Sequence, residues 1–110
     1  MTDTKELLIV LITCDAGEAQ SLAQNLVQQG LVACVNEIPG IRSTYLWEGK
    51  VQSDNESLLL AKTTQAAYPA LEKQIRHLHS YTLPEILALS PFCGLAEYEQ
   101  WVVQSVTEAR

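Results

Sequence analysis

The side chains able to grip a soft metal ion are few and widely spaced: Cys14, Cys34 and Cys93, with His77 and His79. Thiolate and imidazole are the donors that suit copper. Two histidines at i and i+2 on a helix point about 200° apart, so they share an ion only if the helix ends between them. His77 therefore reads as solvated surface. His79, at the helix exit beside Tyr81 and Glu85, is either a ligand or a hydrogen-bonded cap. Cys34 lies inside an apolar run and reads as a small hydrophobe. Cys14 closes the first apolar run, so Cys14 with His79 is the metal-ligating combination to test first.

Glu56 and Lys62 offer a second chemistry. With Leu58 and Leu60 they fall on one face of a strand, where a charge is tolerated only with a partner. They form either a salt bridge at a subunit contact or part of a cleft. Trp47, Tyr81 and Trp101 read as packing residues. No Gly-x-Ser-x-Gly, dinucleotide fingerprint, phosphate loop or His-Glu-x-x-His occurs, so no enzymatic activity is expected.

The elements that must position these groups follow from periodicity. Leu7 to Ile12 is a short apolar run, expected to be a strand buried on both faces. Ala16, Ala19, Leu22, Ala23, Leu26 and Val27 recur at helical spacing up to Gly30, a C′ glycine. Leu31 to Val35 resumes a strand, and Pro39-Gly40 bends or bulges it before it continues through Trp47. Glu48-Gly49 turns the chain into a return strand from Lys50 to Lys62, whose second half alone can line this chain's core. Tyr68, Leu71, Ile75 and Leu78 mark a second helix with Pro69 in its first turn. Ile86 to Leu89 is a fourth strand. Leu95, Tyr98, Trp101, Val102, Ser105 and Val106 outline a terminal helix. The order β-α-β-β-α-β-α predicts an α+β, ferredoxin-like sandwich with an antiparallel sheet and both main helices on one face.

The chain has 110 residues, 47% of them apolar, with 13 acidic against 7 basic side chains and a net charge of −6. This is room for one domain, residues 1–110, and one core. The scattered basic residues disfavour nucleic acid as a partner. The longest apolar run is far below the roughly 20 residues that span a bilayer, so no membrane association is expected. The start, Met1 to Glu6, lacks the pattern of a secretory leader, and three cysteines without a Cys-x-x-Cys pair suit free thiols. A cytoplasmic location is expected.

The hairpin raises a question of size. Residues 32–48 in extended form would reach roughly 56 Å, whereas a compact domain of this length is roughly 34 Å across. The hairpin must overhang its own body. Tyr45, Leu46 and Trp47 would then face water unless a second subunit covers them, which predicts a homo-oligomer with these residues in its interface.

Several spaced motifs resemble a known family: Ala33-Cys34-Val35-Asn36, Pro39-Gly40, Ser43-x-Tyr45-x-Trp47-x-Gly49-Lys50, Glu56-x-x-Leu59-x-x-Lys62-Thr63, His79-x-Tyr81-x-x-Pro84-Glu85-Ile86 and Tyr98-x-x-Trp101. In this order they look like the divalent-cation tolerance proteins called CutA. The resemblance implies a cytoplasmic homotrimer of ferredoxin-like subunits, similar in outline to the PII signalling proteins. It also implies a non-enzymatic role in divalent metal tolerance, with copper or another divalent cation bound through Cys14 and His79. Where the family carries a His-His pair, this chain has Leu78-His79, which leaves one imidazole. A second reading suggested by the same resemblance is a sensor that takes a small molecule in an inter-subunit cleft lined by Glu56, Lys62, Tyr81 and Glu85 and signals to a protein partner.

Overall fold

The computed structural model describes residues 6–107. Its elements are β1 (Leu7–Cys14), α1 (Ala19–Gln28), β2 (Cys34–Trp47), β3 (Lys50–Thr64), α2 (Tyr68–Leu78), β4 (Ile86–Leu89) and α3 (Ala96–Thr107). The strands form one antiparallel sheet in the order β2-β3-β1-β4, the ferredoxin-like arrangement expected. β1 is a central strand, which is why its sequence is an unbroken apolar run.

The register fixes what each face does. Val10 pairs with Ala61 and Ile12 with Leu59, so even positions of β1 and odd positions of β3 share a face. That face packs on Leu22 and Leu26 of α1 and Leu71 and Ile75 of α2 to form the core. Full burial of each such side chain stabilises the fold by roughly 1.5–3 kcal/mol. The opposite face carries Glu56, Leu58, Leu60 and Lys62, and α3 lies across part of it, burying Val102 and Val106.

Several boundaries differ from the sequence expectation. β1 runs on to Cys14 and β3 to Thr64, because the ladder between them pairs Cys14 with Ser57 and Leu7 with Thr64. The helix expected from Ala16 begins as a 3-10 turn, Ala16–Glu18, capped by the Asp15 carboxylate on the Gly17 amide at 3.0 Å. At its other end Gly30, with φ 72, behaves as expected: Leu31 N donates to Leu26 O and Gly30 N to Val27 O, closing the last carbonyls. The same turn keeps Leu31 and Val32 out of the second strand. They are a buried connector, and pairing with β3 starts only at Ala33 N, which donates to Lys62 O at 2.8 Å.

The terminal helix also differs. Leu95 precedes it, and its buried stripe is Glu99, Val102 and Val106, while Tyr98 and Trp101 remain 41% and 46% exposed. The Tyr98 hydroxyl lies 3.4 Å from Cys34 Sγ on β2, and the Trp101 ring lies tilted against Tyr98 at 5.7 Å.

β2 and β3 make the predicted overhang. The molecule measures 48 × 26 × 22 Å. The ladder shifts register between Ile38 and Ile41, and Gly40 has φ 74, so Pro39-Gly40 is a bulge. Glu48 (φ 52) and Gly49 (φ 80) form the tight turn at the tip. Beyond Asn55 the strand pair has no core beneath it, and Leu46 is 69% and Trp47 45% exposed. No helix among the described residues is long and apolar enough to cross a membrane.

Candidate functional site

Where the hairpin leaves the body, it faces the segment between α2 and β4 across an open groove of about 1050 Å³. Tyr45, Trp47, Asp54 and Glu56 form one wall, Tyr81 and Glu85 the other, with Asp15 at the end. Glu56 is buried, and the Tyr81 hydroxyl donates to its Oε2 at 2.7 Å. Tyr45 likewise donates to Asp54. Burial and the Glu56 hydrogen bond raise the Tyr81 phenol well above the usual tyrosine range, and the hydrogen bond to Asp54 raises Tyr45. Both phenols therefore keep their protons and act as donors. Four carboxylates line the groove with no Lys, Arg or His, so it favours cations or ligands rich in hydrogen-bond donors.

His79 does not line the groove but lies buried behind Tyr81, which does. It caps α2 and is buried. The Tyr81 amide donates to Nδ1 at 3.1 Å, which places the ring proton on Nε2, where it bonds Thr13 O at 2.7 Å. The ring packs against Tyr81 at 4.6 Å, and the Ser80 hydroxyl donates to Glu18 at 2.7 Å. Of the two roles open to this residue, the arrangement is that of a hydrogen-bonded cap. His77 is exposed.

Cys14 is not among the residues that line the groove. The thiol belongs to the core cluster and is fully buried. Burial, with Glu18 and Glu37 nearby, pushes it up to about 11, so with no cation bound the thiol keeps its proton at neutral pH. Both His79 nitrogens are engaged within the chain, at Thr13 O and at the Tyr81 amide. Among the described residues no group of three or more His, Cys, Asp or Glu is placed to hold a metal ion.

The expected cleft is also only partly assembled. Glu56, Tyr81 and Glu85 meet at the groove, but Lys62 does not. It shares a strand face with Glu56, yet six residues of strand separate them by about 20 Å. Lys62 belongs to a second cluster: its Nζ donates to Asn36 Oδ1 and lies 3.8 Å from Cys34 Sγ, which is 3.4 Å from the Tyr98 hydroxyl. Cys34 is half-buried among these polar groups, a correction to its reading as a small hydrophobe. The even spacing of Cys34 and Asn36 hinted at a shared strand face. The contact of both with Lys62 and that of Cys34 with α3 had no local signal.

The chain matches the family model described as CutA1 divalent ion tolerance protein over residues 8–105. It belongs to the CutA1 divalent ion tolerance family. The Thermus thermophilus divalent-cation tolerance protein CutA is 47% identical over 86% of this chain and 92% of its own. The chloroplastic protein CutA of Arabidopsis thaliana is 43% identical over 89% of this chain, which spans only 54% of the plant protein. Among solved structures, the Cut A1 protein of Thermus thermophilus superposes with a TM-score of 0.88 at 44% identity, covering 90% of this chain and 97% of that one. The Nostoc PII-like protein CutA in apo form superposes with a TM-score of 0.85 at 32% identity, covering 90% and 96%. CutA1 and PII-like proteins are thus the structural neighbours of this fold.

Proposed function

We propose that the chain works as a non-enzymatic homotrimer in divalent-cation tolerance, receiving its ligand in the groove between hairpin and body rather than chelating copper in its core. The observation that carries this is the overhang. Leu46, Trp47 and Val51 stand in solvent on a strand pair with no core beneath it, a free-energy cost that a neighbouring subunit removes. A neighbour packed there also closes the open side of the groove, which makes Glu56, Tyr81 and Glu85 part of an inter-subunit cleft, as in a PII-like sensor with a protein partner. Three free cysteines, with Cys93 exposed, suit a reducing cytoplasm.

Light scattering at micromolar concentration is expected to give the mass of three chains, with Leu46→Asp/Trp47→Asp reduced to one chain of 12.2 kDa. Calorimetric titration with Cu(II) and Zn(II) is expected to give the same weak isotherm for the wild type and for Cys14→Ala/His79→Ala. A single-chain mass for the wild type defeats the assembly. A tight isotherm that disappears in the double variant restores the Cys14–His79 site instead.

A further inference from the structure

We propose that Cys34, Lys62 and Tyr98 form a peroxide-reactive thiol site, separate from the groove, at which Cys34 is reversibly oxidised to a sulfenic acid. Three elements deliver the groups. Cys34 opens β2 directly opposite Lys62 on β3, so their side chains leave the sheet on one face. Tyr98 reaches the same sulfur from α3. The thiol therefore has an ammonium at 3.8 Å and a phenol at 3.4 Å, with Asn36 holding the ammonium in place.

The chemistry follows from the types. The thiolate is the nucleophile, and the Lys62 ammonium at 3.8 Å from the sulfur is placed to hydrogen-bond it and to protonate the leaving group. The hydrogen bond with Cys34, together with burial, holds the Tyr98 phenol up to about 12, so it retains its proton and has one to donate once the sulfur is a thiolate. Cys34 is half-buried, open to a molecule as small as a peroxide. The other two thiols lack this setting. Cys14 is sealed in the core, and Cys93 lies exposed in the connection before α3.

In the reaction the Cys34 thiolate attacks one peroxide oxygen. The S–O bond forms as the O–O bond breaks; sulfur gives up two electrons, and the peroxide is reduced. The departing hydroxide takes a proton from the Lys62 ammonium and leaves as water. The sulfenic acid remains between two hydrogen-bonding groups. Two equivalents of a small thiol return it to the free form, the first releasing water and forming a mixed disulfide, the second releasing a small-molecule disulfide.

The test exposes the folded protein to hydrogen peroxide with dimedone, which traps sulfenic acids, and reads the adduct at each cysteine by peptide mass spectrometry. Cys34 is expected to label about tenfold faster than Cys93, with Cys14 unlabelled. Lys62→Met is expected to remove most of that advantage and Lys62→Arg to keep it, with Cys93 unchanged in both. Labelling of Cys34 no faster than Cys93 overturns the proposal, as does an equal Cys34 rate in Lys62→Met. The wild-type comparison needs no variant, so it decides even where Lys62→Met does not fold.

Discussion

The Tyr81 hydroxyl donates to Glu56 Oε2 at 2.7 Å and ties the segment between α2 and β4 to the middle of β3. Glu56 marks the place where β3 changes character. Before it every residue of the strand is exposed, and after it every residue is at least half-buried. A carboxylate at that boundary is withdrawn from water on one side, and the phenol replaces part of the lost hydration.

Removing the phenol leaves a buried carboxylate short of a donor. Tyr81→Phe is expected to lower stability by about 1–3 kcal/mol, read as the urea midpoint at fixed protein concentration and neutral pH. Glu56→Gln keeps an acceptor for Tyr81 and is expected to cost less. Equal midpoints for Tyr81→Phe and the wild type would show that water replaces the phenol freely.

The raised acids predict alkaline weakness. In the unfolded chain Cys14 ionises near 9.0 and tyrosine near 10.0, whereas the fold pushes Cys14 to about 11 and Tyr98 to about 12 and raises Tyr81 as well. Between these limits the unfolded state holds fewer protons than the folded state, so stability falls as pH rises. The contributions of Cys14 and Tyr98 are fully present below pH 9 and lost by about pH 12. For Cys14 the shift is worth on the order of 2–3 kcal/mol. Urea midpoints measured from pH 8 to 11 are expected to fall for the wild type and to fall less steeply for Cys14→Ala. Parallel curves would remove Cys14 as a source of the effect.

How much of this was legible in the sequence depends on how local the chemistry is. The bulge at Pro39-Gly40, the turn at Glu48-Gly49 and the stop at Gly30 are each set by residues within a few positions, and the structure has all three. The half-polar, half-apolar pattern of β3 is equally plain. The role of His79 is not, because the Thr13 carbonyl that binds it is a backbone atom 66 residues away and leaves no trace in residue type. Even spacing groups Lys62 with Glu56, because it reports a shared face and says nothing of distance along it. The Cys34–Tyr98 contact joins residues 64 apart through a helix position that periodicity alone could not set.

Leu31 supplies a further case where the pattern misleads and a single hydrogen bond explains why. The run from Leu31 to Val35 has strand composition, but the Leu31 carbonyl accepts from the buried Thr63 hydroxyl at 2.6 Å instead of joining a ladder. Thr63→Val keeps the shape and leaves that carbonyl unpaired. A loss of about 1–2 kcal/mol is expected in chemical unfolding, with α1 and β2 otherwise intact by hydrogen exchange. An unchanged midpoint would mean that the connector does not depend on Thr63.

The bulge connects the fold to the assembly. Gly40 sits at φ 74 as part of the extra stretch between Ile38, paired with Leu58, and Ile41, paired with Glu56. Removing one residue there returns β2 to simple alternation, and a shift of one reverses which face every later side chain takes. Deletion of Gly40 is therefore expected to turn Tyr45 and Trp47 away from the groove, breaking the Tyr45–Asp54 hydrogen bond. The core is built from β1, β3, α1 and α2 together with the Leu31–Val32 connector, all of which lie outside the outer half of β2, so the subunit still folds. The expected result is native circular dichroism with a light-scattering mass below three chains and a red-shifted tryptophan emission from a fully hydrated Trp47. A deletion variant that keeps both the trimer mass and the emission of the wild type would show that the bulge does not aim the hairpin at its neighbour.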